Sequence, residues 1–599
     1  MDGPSWRLRV GAWIAPERAA DVPASPPLFL RPLVGQFPPQ KKLYYAAHDA
    51  EFVIAKPELA PVARRFPFVG ANSGRQRAVV KGKESTADKA DVVDGMGPVQ
   101  PVFPPPGPCS GTVLGSSDGH TVVLYGDRIR PEPNTVLFCG PDAHSDIYGT
   151  RSNVRRSCFY SAFNKTEREE TTFTTVDVAR HARKRRILNV CFNDKLVRAA
   201  TPFVIKHVDR WNHLLMQTED TEWSPVVDFS QAVDALIFDI MGDLSFGRSF
   251  DIKESGDNPI KEVPDCISAA LCFYYPICRS PFLKLLLWLK PRGLDRAVEL
   301  ISPPTVHKYD DFVCGSVADR LALQRKQADK PEAERRQDMF YFLCDARDTE
   351  TGLPAYNEDE LRAECSVLIT AGSGTTAVSL SGVFFYLTGD RRRYQKLVDE
   401  ILTTFATADD IVYGPKLLGC RYLRACVDEG MRLTPAGASE HPREVLPGGI
   451  QIRGEYYPAG TTVGTVPWAD SRNQDVYGDA HLFRPERWIV DEASGVSKED
   501  VLRIKANFHP FLSGPCSCIG KSLALMEMYV TVARTLHRLD VRRRPGSTLG
   551  GGAPELGWGE RDPTQLQLRD AFVSLRQGPE VQFRKRSFTS TCTQQTGAV

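Results

Sequence analysis

The stretch 511–527, FLSGPCSCIGKSLALME, constrains this chain more than any other. Gly514 and Gly520 bracket Cys518, and the sequence then runs directly into an apolar helix with Leu523, Met526 and Val530 at helical spacing. A helix start offers unpaired N–H groups and the positive end of the helix dipole. Both lower a cysteine pKa and donate to its sulfur, so the spacing predicts a Cys518 thiolate. Gly514 permits a tight turn and Gly520 a close backbone approach, which leaves room for a flat, bulky group such as a metal in a planar cofactor. The competing reading is a buried loop with an incidental cysteine.

Length and charge narrow the field. At 599 residues, with 75 Lys and Arg against 74 Asp and Glu, the chain has no nucleic-acid footprint, and its partners are expected to be small and neutral. Fifteen scattered cysteines without paired spacing suit a reducing compartment rather than a disulfide framework. No stretch of 18 or more apolar residues occurs, so no membrane-spanning helix is predicted. The apolar run 281–289 (PFLKLLLWL) reads either as an interfacial element dipping into a membrane or as a core helix. Residues 1–108 read as a poorly ordered extension ending in a stiff, Pro-rich hinge at 101–108, and residues 587–599 as a disordered tail. The globular text lies in 109–586.

Several motifs stand in that text. Residues 178–190 form a basic helical stretch containing His181, Lys184, Arg185 and Arg186, by itself a solvated cationic face. Residues 229–244 place Phe229, Val233, Leu236, Ile240 and Leu244 on one helical face. Asn357 and Glu360 predict a capping box opening a long apolar helix through Leu387. Its middle, Ala371-Gly372-Ser373-Gly374-Thr375-Thr376, costs about 1 kcal/mol of helical stability per glycine. That cost implies a compensating contact: a ligand against the backbone, a local opening that binds water or oxygen, or another helix packed through small residues. Glu429 and Arg432 share a helical face, FRPERW at 483–488 contributes Arg487, and ASEHPREV at 438–445 contributes Arg443 ahead of an expected hairpin around residues 456–461.

Taken in order, these motifs resemble the cytochrome P450 superfamily. Phe511, Gly514, Cys518 and Gly520 match the spacing of its haem-binding loop, F-x-x-G-x-x-x-C-x-G. The resemblance covers roughly residues 109–586 and implies a mainly α fold with small β-sheets and a long central helix over a haem (heme) group. It makes Cys518 the axial thiolate ligand of the iron, a ligand that favours O–O cleavage. It also assigns His181, Arg185 and Arg443 to the haem propionates, Thr375 with Thr376 to proton delivery during oxygen activation, and Glu429, Arg432 and Arg487 to a buried structural network. Lys184 and Arg186 join a surface that docks an electron donor.

The wording of GPxxCIGKxLA, FRPERW and PAGTxVG resembles filamentous-fungal monooxygenases of the benzoate-hydroxylase or secondary-metabolite kind. The implied reaction inserts one atom of O2 into a small, largely apolar molecule, with NADPH electrons supplied by an NADPH-cytochrome P450 reductase. The implied location is the cytosolic face of the endoplasmic reticulum membrane, with peripheral contact, the cytoplasm being the alternative. Four departures from the family pattern stand out: Cys516 where it has an arginine, no apolar anchor of the kind with which microsomal members begin, Gly374 where it has an acid, and a shortened segment ahead of Tyr125 where its first helix and strand are expected. They keep two alternatives open, a haem-dependent isomerase or dehydratase needing no reductase and a non-catalytic relic with impaired haem binding.

Overall fold

A computed structural model describes residues 127–586 apart from 165–168, 217–221, 349–350 and 557–559. The extension at 1–108, its hinge, the shortened segment before Tyr125 and the tail at 587–599 lie outside the described residues. What is described is mainly α-helical. The helices longer than ten residues are α1 (Val178–Cys191), α2 (Asp194–Leu215), α3 (Phe229–Phe246), α4 (Val263–Cys278), α5 (Pro304–Lys326), α6 (Glu358–Gly389), α7 (Arg391–Thr404), α8 (Arg421–Leu433) and α9 (Lys521–Arg538).

Helix α6 is the axis of the core. Its capping box forms as the Asn357/Glu360 spacing predicts, each side chain accepting from the other's backbone N–H and so satisfying two orphan donors at the helix start. It packs along α3, α8 and α9. The expected face of α3 is fully buried, and the burial extends nearly all round because α6, α2 and α5 enclose it. Among the described residues α6 alone is long and apolar enough to cross a bilayer; most of that stretch is instead buried inside the fold.

The helix does not open at Ala371–Thr376, so of the three compensating contacts considered the local opening is absent. The glycines have contact reasons instead. A Cβ on Gly372 would lie 2.4 Å from Met241 of α3, and one on Gly374 would lie 3.4 Å from Val573. Close packing, first of a helix and then of a hairpin, offsets the lost propensity.

The strands form small sheets. β1 (Arg128–Glu132), β2 (Thr135–Phe138), β3 (Val154–Arg156), β5 (Arg443–Val445) and β8 (Thr462–Thr465) make a five-stranded sheet in the order β1-β2-β8-β5-β3, with only β2 and β8 parallel. β4 (Val227–Asp228), β9 (Leu539–Arg543) and β12 (Glu580–Lys585) make another. The expected hairpin turns earlier than 456–461: β6 (Ile450–Ile452) pairs with β7 (Glu455–Tyr457) around Arg453 and Gly454, both at positive φ. Residues 458–461 only link β7 to β8. A second hairpin, β10 (Arg569–Ala571) with β11 (Val573–Leu575), lies against α6.

Candidate active site

The loop before α9 folds around backbone contacts. The Cys518 N–H donates to the Phe511 carbonyl at 2.8 Å, closing the loop. Gly514 has φ 66°, and a Cβ there would lie 2.1 Å from the Tyr148 carbonyl oxygen, so only glycine fits. Gly520 is less constrained, since a Cβ would meet nothing nearer than the Cys518 sulfur at 3.9 Å.

The electrostatics at Cys518 differ from expectation. Burial pushes its thiol up; the N–H groups of Gly520 and Lys521 and the charges of Arg185 and Lys521 pull it down only in part. The helix start acts as predicted, but desolvation in the middle of the fold outweighs it. A thiolate here therefore calls for a cation at sulfur, which a metal supplies. The residue is nonetheless accessible, as is Ala371 halfway along α6; deep surroundings and open surface coexist where side chains line an interior space.

Around the loop stands a ring of cations, and one of them escaped sequence reasoning. Arg156 of β3 and Arg443 of β5 are buried and directly paired across the sheet. Like charges opposite one another in a ladder are destabilising unless an anion joins them. Arg156 donates to the carbonyl oxygens of Thr172 at 2.6 Å and Thr175 at 3.5 Å; Arg443 donates to the Tyr160 hydroxyl at 3.0 Å and to the carbonyls of His441 and Pro442 at 3.1 Å. Arg185 of α1 donates to the Ser517 carbonyl and, at 3.0 Å, to Asn189 Oδ1. Arg156, Arg185 and Arg443 all couple electrostatically to the side chain at Cys516, which locates them about the loop.

No carboxylate pairs with any of these three among the described residues. His181, also on α1, is buried with no partner for its Nε2, and burial together with Arg156, Arg185 and Arg443 pushes its pKa down to about 3, leaving a neutral ring at neutral pH. Buried cations without anions are costly. The set is suited to a ligand carrying carboxylates, and the propionates of haem fit it. Arg155 and Arg156 are adjacent in sequence, and only strand register separates them: Arg155 pairs with Glu444, Arg156 turns inward. Alternation in the VRRS stretch was the available signal.

The basic helix divides similarly. Lys184, expected on a docking surface, is instead largely buried, donating to the Glu170 carbonyl at 2.8 Å and lying 3.7 and 3.8 Å from Glu360 and Glu364 at the start of α6. It ties α1 to α6 because that helix start concentrates acids which need a counter-charge. Arg186 is exposed.

In the middle of α6, Ala371, Gly374 and Thr375 share the more accessible side, and Ser373 and Thr376 the buried one. The Thr375 hydroxyl donates to the Ala371 carbonyl at 2.7 Å and the Ser373 hydroxyl to the Ile369 carbonyl at 2.6 Å. Thr376 donates to Glu527 Oε2 at 3.3 Å. Glu527 stands on α9, six residues beyond Lys521 and hence about 9 Å along the axis from the helix start. It is buried, its Oε1 has no partner, and burial, only partly offset by Thr376, pushes its pKa up to about 8. A carboxyl that keeps its proton at neutral pH is thus bonded to Thr376, on the side of α6 facing away from Gly374. Sequence reasoning missed it; its place in the otherwise apolar LALMEMYV run was the signal.

Glu429, Arg432 and Arg487 meet in a buried network. Glu429 accepts from Arg432 at 2.8 and 2.9 Å, from Arg487 at 3.1 Å, from the Trp488 indole at 2.9 Å and from the Arg484 N–H at 2.8 Å. Burial alone would raise Glu429, but the two guanidiniums and the backbone donor outweigh it and hold the carboxyl below its usual range. Arg432 also clamps the carbonyls of Ser471, Ala480 and Leu482, stitching α8 to the segment before FRPERW.

Similarity to known proteins shows the family. The family described as Cytochrome P450 matches residues 128–549. A cytochrome P450 monooxygenase of Gibberella zeae is 32% identical over 74% of this chain and 97% of its own length. The monooxygenases fscF of Fusarium equiseti and poxM of Penicillium oxalicum are 31% and 32% identical, each over 77% of this chain and over 85% and 83% of their own lengths. With its long buried central helix, small sheets and cysteine loop, the chain belongs to the cytochrome P450 family, and it is an oxidoreductase of the haem monooxygenase kind.

Proposed function

We propose that the chain inserts one atom of O2 into a small, largely apolar organic molecule, taking NADPH electrons from an NADPH-cytochrome P450 reductase, in fungal secondary metabolism or aromatic oxidation. The observation that carries this reading is the ring of Arg156, His181, Arg185 and Arg443, buried or half-buried and without carboxylate partners among the described residues, around the Cys518 loop. Haem, when bound, supplies the activation of O2. Cys518 would hold its iron as a thiolate, with the N–H groups of Gly520 and Lys521 donating to the sulfur. Phe511, Gly514 and Gly520 shape the loop, while Arg156, His181, Arg185 and Arg443 would hold the propionates.

Thr375 orients proton donors on the accessible side of α6, and Thr376 connects to Glu527, which holds a proton that no acid at position 374 can hold. Glu429, Arg432 and Arg487 keep α8 and the FRPERW segment in place behind the loop. Residues 109–586 act as one catalytic domain, with 1–108 as an extension and 587–599 as a tail. Exposed Phe282, Leu285, Trp288, Leu300 and Ile301 support a peripheral contact with the endoplasmic reticulum membrane.

The test is the carbon monoxide difference spectrum of the dithionite-reduced full chain. A strongly red-shifted Soret band is expected, lost in Cys518→Ala and kept in Cys516→Ala; a band typical of a neutral proximal ligand refutes the reading. Gly374 favours a second reading, an isomerase or dehydratase that needs no reductase. Product formation without NADPH and reductase would establish that instead.

A further inference from the structure

Strand β9 and the residue after it carry the run Arg542-Arg543-Arg544, and the chain then turns through Pro545-Gly546-Ser547. The residues dictate the turn: proline fixes its first central position, Gly546 takes φ 78° at the second, and the Ser547 N–H donates to the Arg544 carbonyl at 3.1 Å. Strand alternation sorts the arginines. Arg543 turns inward, its guanidinium 4.2 Å from the ring centroid of Phe385 on α6. Arg542 turns outward onto Trp223, 4.1 Å from that ring's centroid, and donates to the Gln582 side chain at 3.0 and 3.2 Å. Arg544 is exposed and donates to both oxygens of Glu580 at 3.2 Å, and the Ser547 hydroxyl donates to the same carboxylate. The turn and Glu580, the first residue of β12, line a hollow of about 360 Å³ that opens to solvent. Among the described residues β9 is the last strand of its sheet, so its backbone is extended and carries no further strand on the outer edge.

We propose that Ser547 is a phosphorylation site, the target of a protein kinase that reads arginines three and five residues before the acceptor, Arg542-x-Arg544-x-x-Ser547. Kinases of this kind select by charge pattern. Here the two arginines they would read are the outward pair, and the serine rests in a surface turn beside room for a phosphate. ATP is the co-reactant. The Ser547 Oγ forms a bond to the γ-phosphorus, the bond from that phosphorus to its bridging oxygen breaks, ADP leaves, and the hydroxyl proton passes to a base of the kinase. The product changes the pairing at the turn. A phosphoserine carries a charge of about −1.5 to −2 and three acceptor oxygens, so it repels the Glu580 carboxylate and draws Arg544 to itself. The Arg544 N–H still donates to the Glu580 carbonyl at 2.9 Å, so the exchange is confined to side chains.

The inference stands apart from the haem reading, and its test does not use haem. The folded full-length chain is incubated with ATP, magnesium and a kinase of arginine-directed specificity. Thr589 stands at the same spacing after Arg584 and Arg586, so phosphate is located by peptide mass spectrometry rather than by total incorporation. Phosphate is expected at Ser547 and not at Thr548, and Ser547→Ala should lose it. Arg544→Gln separates recognition from exposure, because it removes a cation the kinase reads and at the same time unties Glu580. It should slow labelling of Ser547 by about tenfold, the scale of one charge-assisted hydrogen bond. Glu580→Ala keeps both arginines but frees the hydroxyl, and should speed labelling severalfold. Absence of phosphate at Ser547 in the folded chain, or faster labelling of Arg544→Gln, overturns the proposal. Equal rates for Glu580→Ala and the natural chain overturn the role given to the carboxylate.

Discussion

Replacing Arg156 with Gln should affect the haem-free and haem-bound proteins in opposite degree. In the haem-free chain Arg156 and Arg443 face each other across β3 and β5 with no carboxylate between them. Two unit charges at about the 5.5 Å spacing of directly paired strand residues repel by roughly 3 kcal/mol at an effective dielectric of about 20. Removing one relieves that repulsion but loses a charged hydrogen bond to the Thr172 carbonyl, worth about 1.5–3 kcal/mol. The two nearly cancel, so urea unfolding of the haem-free protein should shift by about 1 kcal/mol or less. If the proposed site holds haem, the same guanidinium would face a propionate, and its loss should weaken retention by about 1.5–3 kcal/mol, a ten- to hundredfold faster release. The assay is transfer of haem to excess apomyoglobin, followed at the Soret band. Cys516→Arg should slow release in the natural chain and restore it in the Arg156→Gln background, because both cations serve the same anion. Equal destabilisation of both forms with an unchanged transfer rate would refute the reasoning and leave Arg156 a purely structural residue.

Other perturbations give equally definite outcomes. Glu429→Gln removes the one carboxylate between Arg432 and Arg487 and should cost about 3–5 kcal/mol in urea unfolding, whereas a loss under about 1 kcal/mol would show the network to be dispensable. Gly514→Ala drives a Cβ into the Tyr148 carbonyl and should abolish haem incorporation, while Gly520→Ala should retain it; equal spectra from the two would contradict the loop geometry. Glu527, raised to about 8 by burial, keeps its proton when folded and loses it when unfolded above about pH 4.5. Its contribution to stability is therefore complete below about 4.5 and is lost as pH rises through about 8. Glu527→Gln should flatten that fall and stabilise the chain at pH 8 by a few kcal/mol, about 1.4 kcal/mol for each tenfold difference in proton affinity between the folded and unfolded chain; a parallel pH profile in the variant would rule it out.

Much of the architecture was legible because the forces that set it act over a few residues. A capping box needs only Asn357 and Glu360 three positions apart, and it formed as written. The faces of α3 and α9 follow from the 3.6-residue period of a helix, and their expected residues are buried. Gly514 was readable as a turn because glycine takes a positive φ at no steric cost; the carbonyl it must avoid, Tyr148, was not. The order of the Cys518 loop, Glu429-x-x-Arg432 and FRPERW sufficed to indicate the family, which the comparisons then showed.

Tertiary structure decided whatever depended on partners distant along the chain or on the balance of burial against charge. The sequence alone determined that a helix start would lower the Cys518 pKa; only the folded surroundings determined that desolvation would exceed that effect. It placed glycines in the middle of α6 but not the side chain of Met241 against Gly372, the contact that favours helix packing among the three readings left open. Lys184 and Arg186 read alike as surface cations until the acids at the start of α6 drew one of them inward. Arg155 and Arg156 read alike until the pairing of β3 with β5 turned one to Glu444 and the other to the loop. Glu527 met Thr376 across 151 positions of chain. Propensity and periodicity are properties of neighbouring residues and survive in a linear text. The free energy of a charge depends on what surrounds it in three dimensions, and that exists only once the chain has packed.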